Sequence, residues 1–151
     1  MNLEVSRLKS AKAYERSGRL FFFSQSKTTA GLWIEDGPIL TTQRSDLAEI
    51  EKIVLRCLRA STQGVPHPRQ EDWPKLNKAF AQALGASSFN VFAKKAKCIS
   101  ITQDGGIIRI VPTKNEGSKG GFKTIEERSI ELAENSDRIG SAVISALDNS
   151  E

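Results

Sequence analysis

The dipeptide Asp104-Gly105 stands between two apolar runs, CISITQ and GIIRIV, that are rich in β-branched residues. Both central positions of a type I′ turn need positive φ, and Asp-Gly is one of the few pairs that supply it, so this stretch is predicted to be an antiparallel hairpin. The fold must then contain antiparallel sheet. A second β signal lies earlier, where Leu20, Phe21, Phe22 and Phe23 lead through SQSKTTAG to Leu32, Trp33 and Ile34. Two strands joined by a polar stretch ending in Gly31 read as a hairpin. Glu35, Asp36, Gly37 and Pro38 give a further turn signal, after which Ile39 and Leu40 supply a third strand. The predicted meander covers residues 13–42.

Between the two β blocks the apolar period changes from two to about 3.6. Leu47, Ile50, Ile53, Val54, Cys57 and Leu58 fall on one helical face, with Asp46 and Glu49 at capping-box spacing and an end near Ser61. GVPHPRQ cannot be helical, because Pro66 and Pro68 restrict the residues before them, and it is expected as a surface connector. A second helix fits Trp73, Leu76, Phe80, Ala83 and Leu84, with Asp72 as cap, Pro74 in the first turn and Gly85 at the far end. The two helices span about 45–85. Phe89, Val91 and Phe92 are read as opening the second β block, over 88–133, which Ile99 and Ile101 continue. Pro112 is expected to end its strand, and TKNEGSKGG to form an exposed, mobile loop. FKTIEERSIELA fits either period; a bulged strand is favoured. Ile139, Ala142, Val143, Ala146 and Leu147 close the chain on one helical face over 136–148, behind Asn135 or Ser136. The expectation is one α+β domain, residues 1–151, with largely antiparallel sheet and three helices.

Composition narrows the function classes. An apolar share of 38% and a charged share of 26% are ordinary for a globular chain. MNLEVSRLKSAKAYERSGR has no apolar stretch that could serve as a signal peptide, and no run approaches the ~20 apolar residues that a bilayer requires. A cytoplasmic protein without a membrane role is expected, with Cys57 and Cys98 reduced and buried. The net charge of +4 is uneven: residues 1–113 hold 17 Lys and Arg against 10 Asp and Glu (+7), whereas residues 114–151 hold 5 against 8 (−3). The basic part suits nucleic acid or an acidic protein surface, and charge does not choose between them.

No set of residues reads as a reaction centre. The single histidine, His67, lies in a Pro-flanked loop with no Asp, Ser or Cys at a known motif spacing, so an exposed or turn-packing role is expected. It cannot build a zinc site with two distant thiols. Lys27 and Thr28 follow the order of a phosphate-binding loop, but the glycines required before the lysine are missing. Gly117 to Gly121 could form a nest of amides for an anion, though a plain flexible turn is favoured. Glu35-Asp36, Glu71-Asp72 and Glu126-Glu127 are read as structural or solvated acids. Lys94, Lys95 and Lys97 beside Phe92 suit a nucleic-acid strand edge, or a charged edge that blocks aggregation, which is preferred. Trp33 and Trp73 are expected in the core, with a partner-facing role as the alternative. No enzyme activity, metal or cofactor is expected, and no small-molecule substrate.

The order DWPKLNKAFAQALG, SFNVFAKKAKCISI, DGGIIRIVPTKNEG, GGFKTIEERSIEL and RIGSAVISAL resembles the immunity proteins of bacterial contact-dependent growth inhibition systems. IVPTKNEG followed by GF carries most of that resemblance, and GLWIEDGP matches in the N-terminal half. The resemblance implies a small cytoplasmic protein that binds the C-terminal toxin domain of a cognate effector, often a nuclease, in a tight one-to-one complex. Candidate contacts are Lys114, Asn115, Glu116 and Lys119 in the loop, with Glu35, Asp36 and Arg69. Nuclease inhibitors often present an acidic face, whereas this chain is basic overall; either the acidic 114–151 segment makes the contact or the toxin offers an acidic pocket. The rival readings are a nucleic-acid-binding module using the basic portion and an enzyme with an unrecognised motif.

Overall fold

A computed structural model describes residues 8–151, and strict alternation along its strands decides the architecture. The strands are β1 (Leu8–Arg16), β2 (Arg19–Thr28), β3 (Trp33–Gln43), β4 (Gln63–Val65), β5 (Lys97–Asp104), β6 (Ile107–Asn115), β7 (Phe122–Thr124) and β8 (Ile130–Ala133). The helices are α1 (Leu47–Ala60), α2 (Trp73–Ala83), α3 (Phe89–Ala93), the single turn α4 (Gly117–Gly120) and α5 (Ile139–Asp148). One sheet runs in the order β3-β2-β1-β5-β6-β7, with β8 also on β6 and β4 lying parallel to β2. The fold is a single α+β domain, and its pairings other than β2–β4 are antiparallel.

Alternation sends two sets of side chains to opposite faces. Ala11, Ala13, Leu20, Phe22, Ile99, Ile101, Ile108 and Ile110 meet α1 and α5 in an aliphatic core. Tyr14, Phe21, Phe23 and Cys98 meet Leu84 and Phe92 in an aromatic one, with Phe80 and Phe89 packed against it. Each fully buried large side chain contributes about 1.5–3 kcal/mol, so both cores hold the sheet. α1 begins at Asp46, whose carboxylate accepts from the Glu49 amide at 3.2 Å, and ends at Ser61, both as the sequence predicts. The buried Ser61 hydroxyl then donates to the Gln25 carbonyl at 2.6 Å and accepts from the Ser10 amide at 3.0 Å, tying the helix end to β1 and β2. α5 crosses α1 so closely that a Cβ on Gly140 would lie 2.5 Å from the Leu47 carbonyl oxygen. Arg44 braces the same region, pairing with Glu15 at 2.9 Å and Asp148 at 2.6 Å.

Several sequence expectations need correction. The meander starts at Leu8, since LKSAKAYER hides a strand whose buried positions are Ser10, Ala11, Ala13 and Tyr14. Glu35 to Pro38 form no turn: they lie within β3, where Gly37, Pro38 and Ile39 face the single residue Phe23 as a bulge. β3 is an edge strand, which tolerates a proline, and Gly37 takes φ +99. The 97–115 hairpin is present, but Asp104 pairs with Ile107, so the turn is Gly105-Gly106 with positive φ on Gly105 alone. Phe89, Val91 and Phe92 are helical, started by Ser88, whose hydroxyl accepts from the Val91 amide.

Pro112 does not end β6. Its carbonyl accepts from the Ile125 amide at 2.8 Å, on the side away from β5, where β8 pairing stops at Ile110 and β7 pairing starts at Thr113. The missing amide of proline falls in that gap, so no ladder bond is lost. FKTIEERSIELA is strand at both ends, interrupted by a 3₁₀ turn at Glu126–Arg128. Asp72 bonds the Arg69 amide at 3.0 Å instead of capping α2, and α5 starts at Ile139, later than predicted, with Ser136 accepting from the Arg138 amide. Lys94 and Lys95 lie beyond α3, and Lys97 opens β5, an inner strand with no free edge to protect. Trp33 and Trp73 are half-buried and outside both cores. Cys57 and Cys98 are free and buried, as expected.

Candidate interaction surface

The groups that could carry chemistry are kept apart. His67 sits 2.9 Å from the Thr28 hydroxyl and edge-on to Trp73 at 5.9 Å, a turn-packing role. Burial pushes the Cys57 thiol up to about 11 and the Cys98 thiol up to about 12, so neither offers a thiolate near neutral pH. Among the described residues, no group of three or more His, Cys, Asp or Glu side chains is placed to hold a metal ion. No described helix is long and apolar enough to cross a membrane.

The aromatic face, in contrast, is indented. A cleft of about 260 Å³ lies between the β3 bulge and α2, lined by Ile34, Pro38, Trp73 and Leu76 among others. The next, about 430 Å³, is lined by Tyr14, Glu35, Asn77, Phe80, Phe89 and Asn90. A third, about 360 Å³, lies between the end of α3 and the β6–β7 connection, with Lys94, Lys97, Asn115, Ser118 and Glu151 on its walls. Glu35 and Phe80 belong to the first two clefts, and Asn90 to the second and third. Tyr14 lines the middle cleft, its ring 5.6–5.7 Å from those of Phe23, Phe89, Phe92 and Phe122. Burial, with smaller contributions from Cys98 and Glu35, pushes the pKa of its phenol up, so it stays neutral.

The predicted contact residues fall into two groups. Lys114 and Asn115 end β6, and Glu116 and Lys119 follow in the β6–β7 connection, a hairpin closed by the α4 turn, with Glu116 and Gly121 bonded at 2.8 Å; the expected mobile loop is thus partly strand. Lys114, Glu116 and Lys119 are exposed, and Glu116 pairs with Lys123 at 3.6 Å. Asn115 is half-buried, and its side-chain amide donates to the Ala93 and Ala96 carbonyls at 2.8 and 3.2 Å, locking the connection onto the end of α3. Glu35 and Asp36 lie exposed on β3 opposite Gln25 and Ser24. Arg69 stands apart, paired with Glu71 at 3.2 Å and Asp72 at 3.5 Å. Glu35 and Asn115 are thus linked through the clefts that share Asn90.

Sequence reasoning missed Tyr14, Asn77, Phe80, Phe89 and Asn90 as a surface. Ser88 ahead of Phe89 and Phe92, three apart, was the available signal for a short capped helix. The acidic 114–151 stretch is laced with ion pairs: Glu126 and Glu131 reach Arg109 at 3.1 and 3.8 Å, and Glu151 reaches Arg128 at 2.8 Å.

The chain is thus a single α+β domain whose aromatic face carries three adjoining clefts. The chain belongs to the CDI immunity protein family, whose model, CdiI, matches residues 43–150. The solved structures extend the likeness to the whole fold. A protein of unknown function from Neisseria meningitidis has TM-score 0.77 at 15% identity, covering 97% of this chain and 97% of that one. A chain of a CdiA-CT/CdiI toxin and immunity complex from Yersinia pseudotuberculosis has TM-score 0.73 at 14% identity, covering 95% of this chain and 98% of that one. At those identities the likeness is one of fold. No curated protein matches the chain significantly.

Proposed function

We propose that this protein binds the C-terminal toxin domain of a cognate contact-dependent growth inhibition effector in the cytoplasm and neutralises it in a one-to-one complex. The observation that carries the reading is the immunity-family match over residues 43–150. A fold similar to that of a chain in a toxin–immunity complex supports it. A nuclease is the proposed toxin class. Lys114, Glu116, Lys119, Glu35 and Asp36 are the proposed contacts, with Asn115 holding the connection that presents the first three and Arg69 a peripheral addition.

The nucleic-acid alternative draws less support, because Arg44, Arg69 and Arg109 of the basic stretch are engaged in ion pairs within the protein. The test is co-expression. The last few hundred codons of a large exoprotein gene immediately upstream are expressed with and without this chain, and growth is followed. Toxicity relieved by the chain is the expected result; equal growth arrest in both cultures overturns the reading. Log-linear loss of RNA or DNA affinity with salt would favour the alternative.

A further inference from the structure

We infer that the middle cleft is a receptor for a cationic side chain, and specifically that it takes one arginine of the toxin domain against the rings of Tyr14, Phe80 and Phe89 and the carboxylate of Glu35. This deepens the proposed function and rests on it for the identity of the partner.

The lining has one chemical sense. Three rings supply apolar walls and negative π faces, and Glu35, Asn77, Asn90 and the Tyr14 hydroxyl supply oxygen acceptors. No lysine or arginine lines the cleft, although the chain carries 22 of them against 18 acids. Among the described residues Glu35 has no ion pair, and neither Asn77 nor Asn90 has a side-chain hydrogen bond. The decisive feature is Tyr14. It is only 5% exposed, it lines the cleft, and its hydroxyl has no hydrogen bond to a described residue. A tyrosine hydroxyl with no partner in the protein is free to accept from a ligand donor that enters the cleft.

The alternatives fit worse. An acidic side chain would meet the Glu35 carboxylate with no cation to offset it. An apolar side chain would strip water from a carboxylate, two amides and a phenol while giving nothing back. A lysine ammonium is a compact charge, whereas a guanidinium is planar, stacks on rings and presents a fork of donors that can reach the carboxylate and the flanking oxygens together.

The test uses the full chain and the toxin domain identified by co-expression. Dissociation constants are measured for wild type, Glu35→Gln and Tyr14→Phe, with thermal melts to confirm folding. Glu35→Gln keeps the shape and removes the charge; it is expected to weaken binding roughly 10- to 100-fold. Tyr14→Phe keeps the ring and is expected to cost about 3- to 10-fold. In a second arm without toxin, N-acetyl-arginine methylamide is titrated into the protein while the side-chain amide resonances of Asn77 and Asn90 are followed. Saturable shifts that vanish with the neutral citrulline analogue, and in Glu35→Gln, support the receptor. If wild type and Glu35→Gln hold the toxin equally, the arginine receptor is wrong and the immunity reading stands. If the wild-type chain does not hold the toxin, the immunity reading fails, and the arginine titration alone then decides the cleft.

Discussion

One face of the sheet is covered mainly by aliphatic side chains under α1 and α5, the other by a cluster of rings under α2 and the short α3. The same strands build both, and on the aromatic side three adjoining clefts run from β3 to the β6–β7 connection. Branched aliphatic chains interdigitate to crystalline density, whereas rigid rings set edge to face leave gaps wherever the covering helix is short. On the proposed function, stability falls to the aliphatic side and recognition to the aromatic side.

The strongest way to break that assignment is Leu147→Ala. Leu147 is fully buried between α5 and the sheet, and its truncation is expected to cost about 3 kcal/mol in urea unfolding. The folded fraction should bind the toxin with unchanged affinity; a specific loss of affinity would mean that the aliphatic side contributes to recognition. Gly140→Ala is the next largest. The added methyl meets the Leu47 backbone, which cannot move without displacing α1, and an overpacking cost of about 2 kcal/mol outweighs the gain in helix propensity. A neutral or stabilising result would show that the two helices are not locked together.

Alkaline titration sharpens the comparison because each face holds one buried thiol. Both thiols have folded values above the ordinary 9.0, Cys57 to about 11 and Cys98 to about 12. The unfolded chain therefore loses these protons first. Stability is full below pH 9, declines as pH rises, and stops changing for each thiol once its folded value is passed. At pH 10 the loss is roughly 1 kcal/mol per thiol. Cys98→Ala should remove the decline up to pH 12 and Cys57→Ala only up to pH 11; equal windows would show that the two sides are equally dry at these positions.

Legibility in the sequence followed the same division. α1, α5 and the 97–115 hairpin were readable because each carries one unbroken period and a local signal, such as Asp46 before Leu47. The aromatic side was not. Phe89, Val91 and Phe92 suit a strand by propensity, and only the Ser88 cap and the packing of Phe92 under the sheet make them helical. β1 was obscured because Ala11 and Ala13 bury little area, and their burial depends on neighbours far along the chain. Glu35 was singled out from composition near a turn. Its cleft was invisible, since Tyr14, Asn77 and Asn90 come from three separate elements and no sequence period links them.

The smallest expected effect on stability comes from Phe89→Ala, and it separates the two faces most sharply. Phe89 is half-buried, touching Tyr14 at 5.7 Å and Phe80 at 5.9 Å while lining the middle cleft. Because the ring already meets water on one side, its truncation removes less transfer energy than a core leucine and leaves no sealed void, so about 1 kcal/mol is expected in urea unfolding. The same change deletes one wall of the cleft, and toxin affinity should fall roughly tenfold or more, as at other aromatic hot spots. Leu147→Ala and Phe89→Ala would then rank in opposite orders for stability and for binding. A Phe89 variant that is strongly destabilised but binds normally would show instead that the aromatic side is a second core whose clefts play no part in recognition.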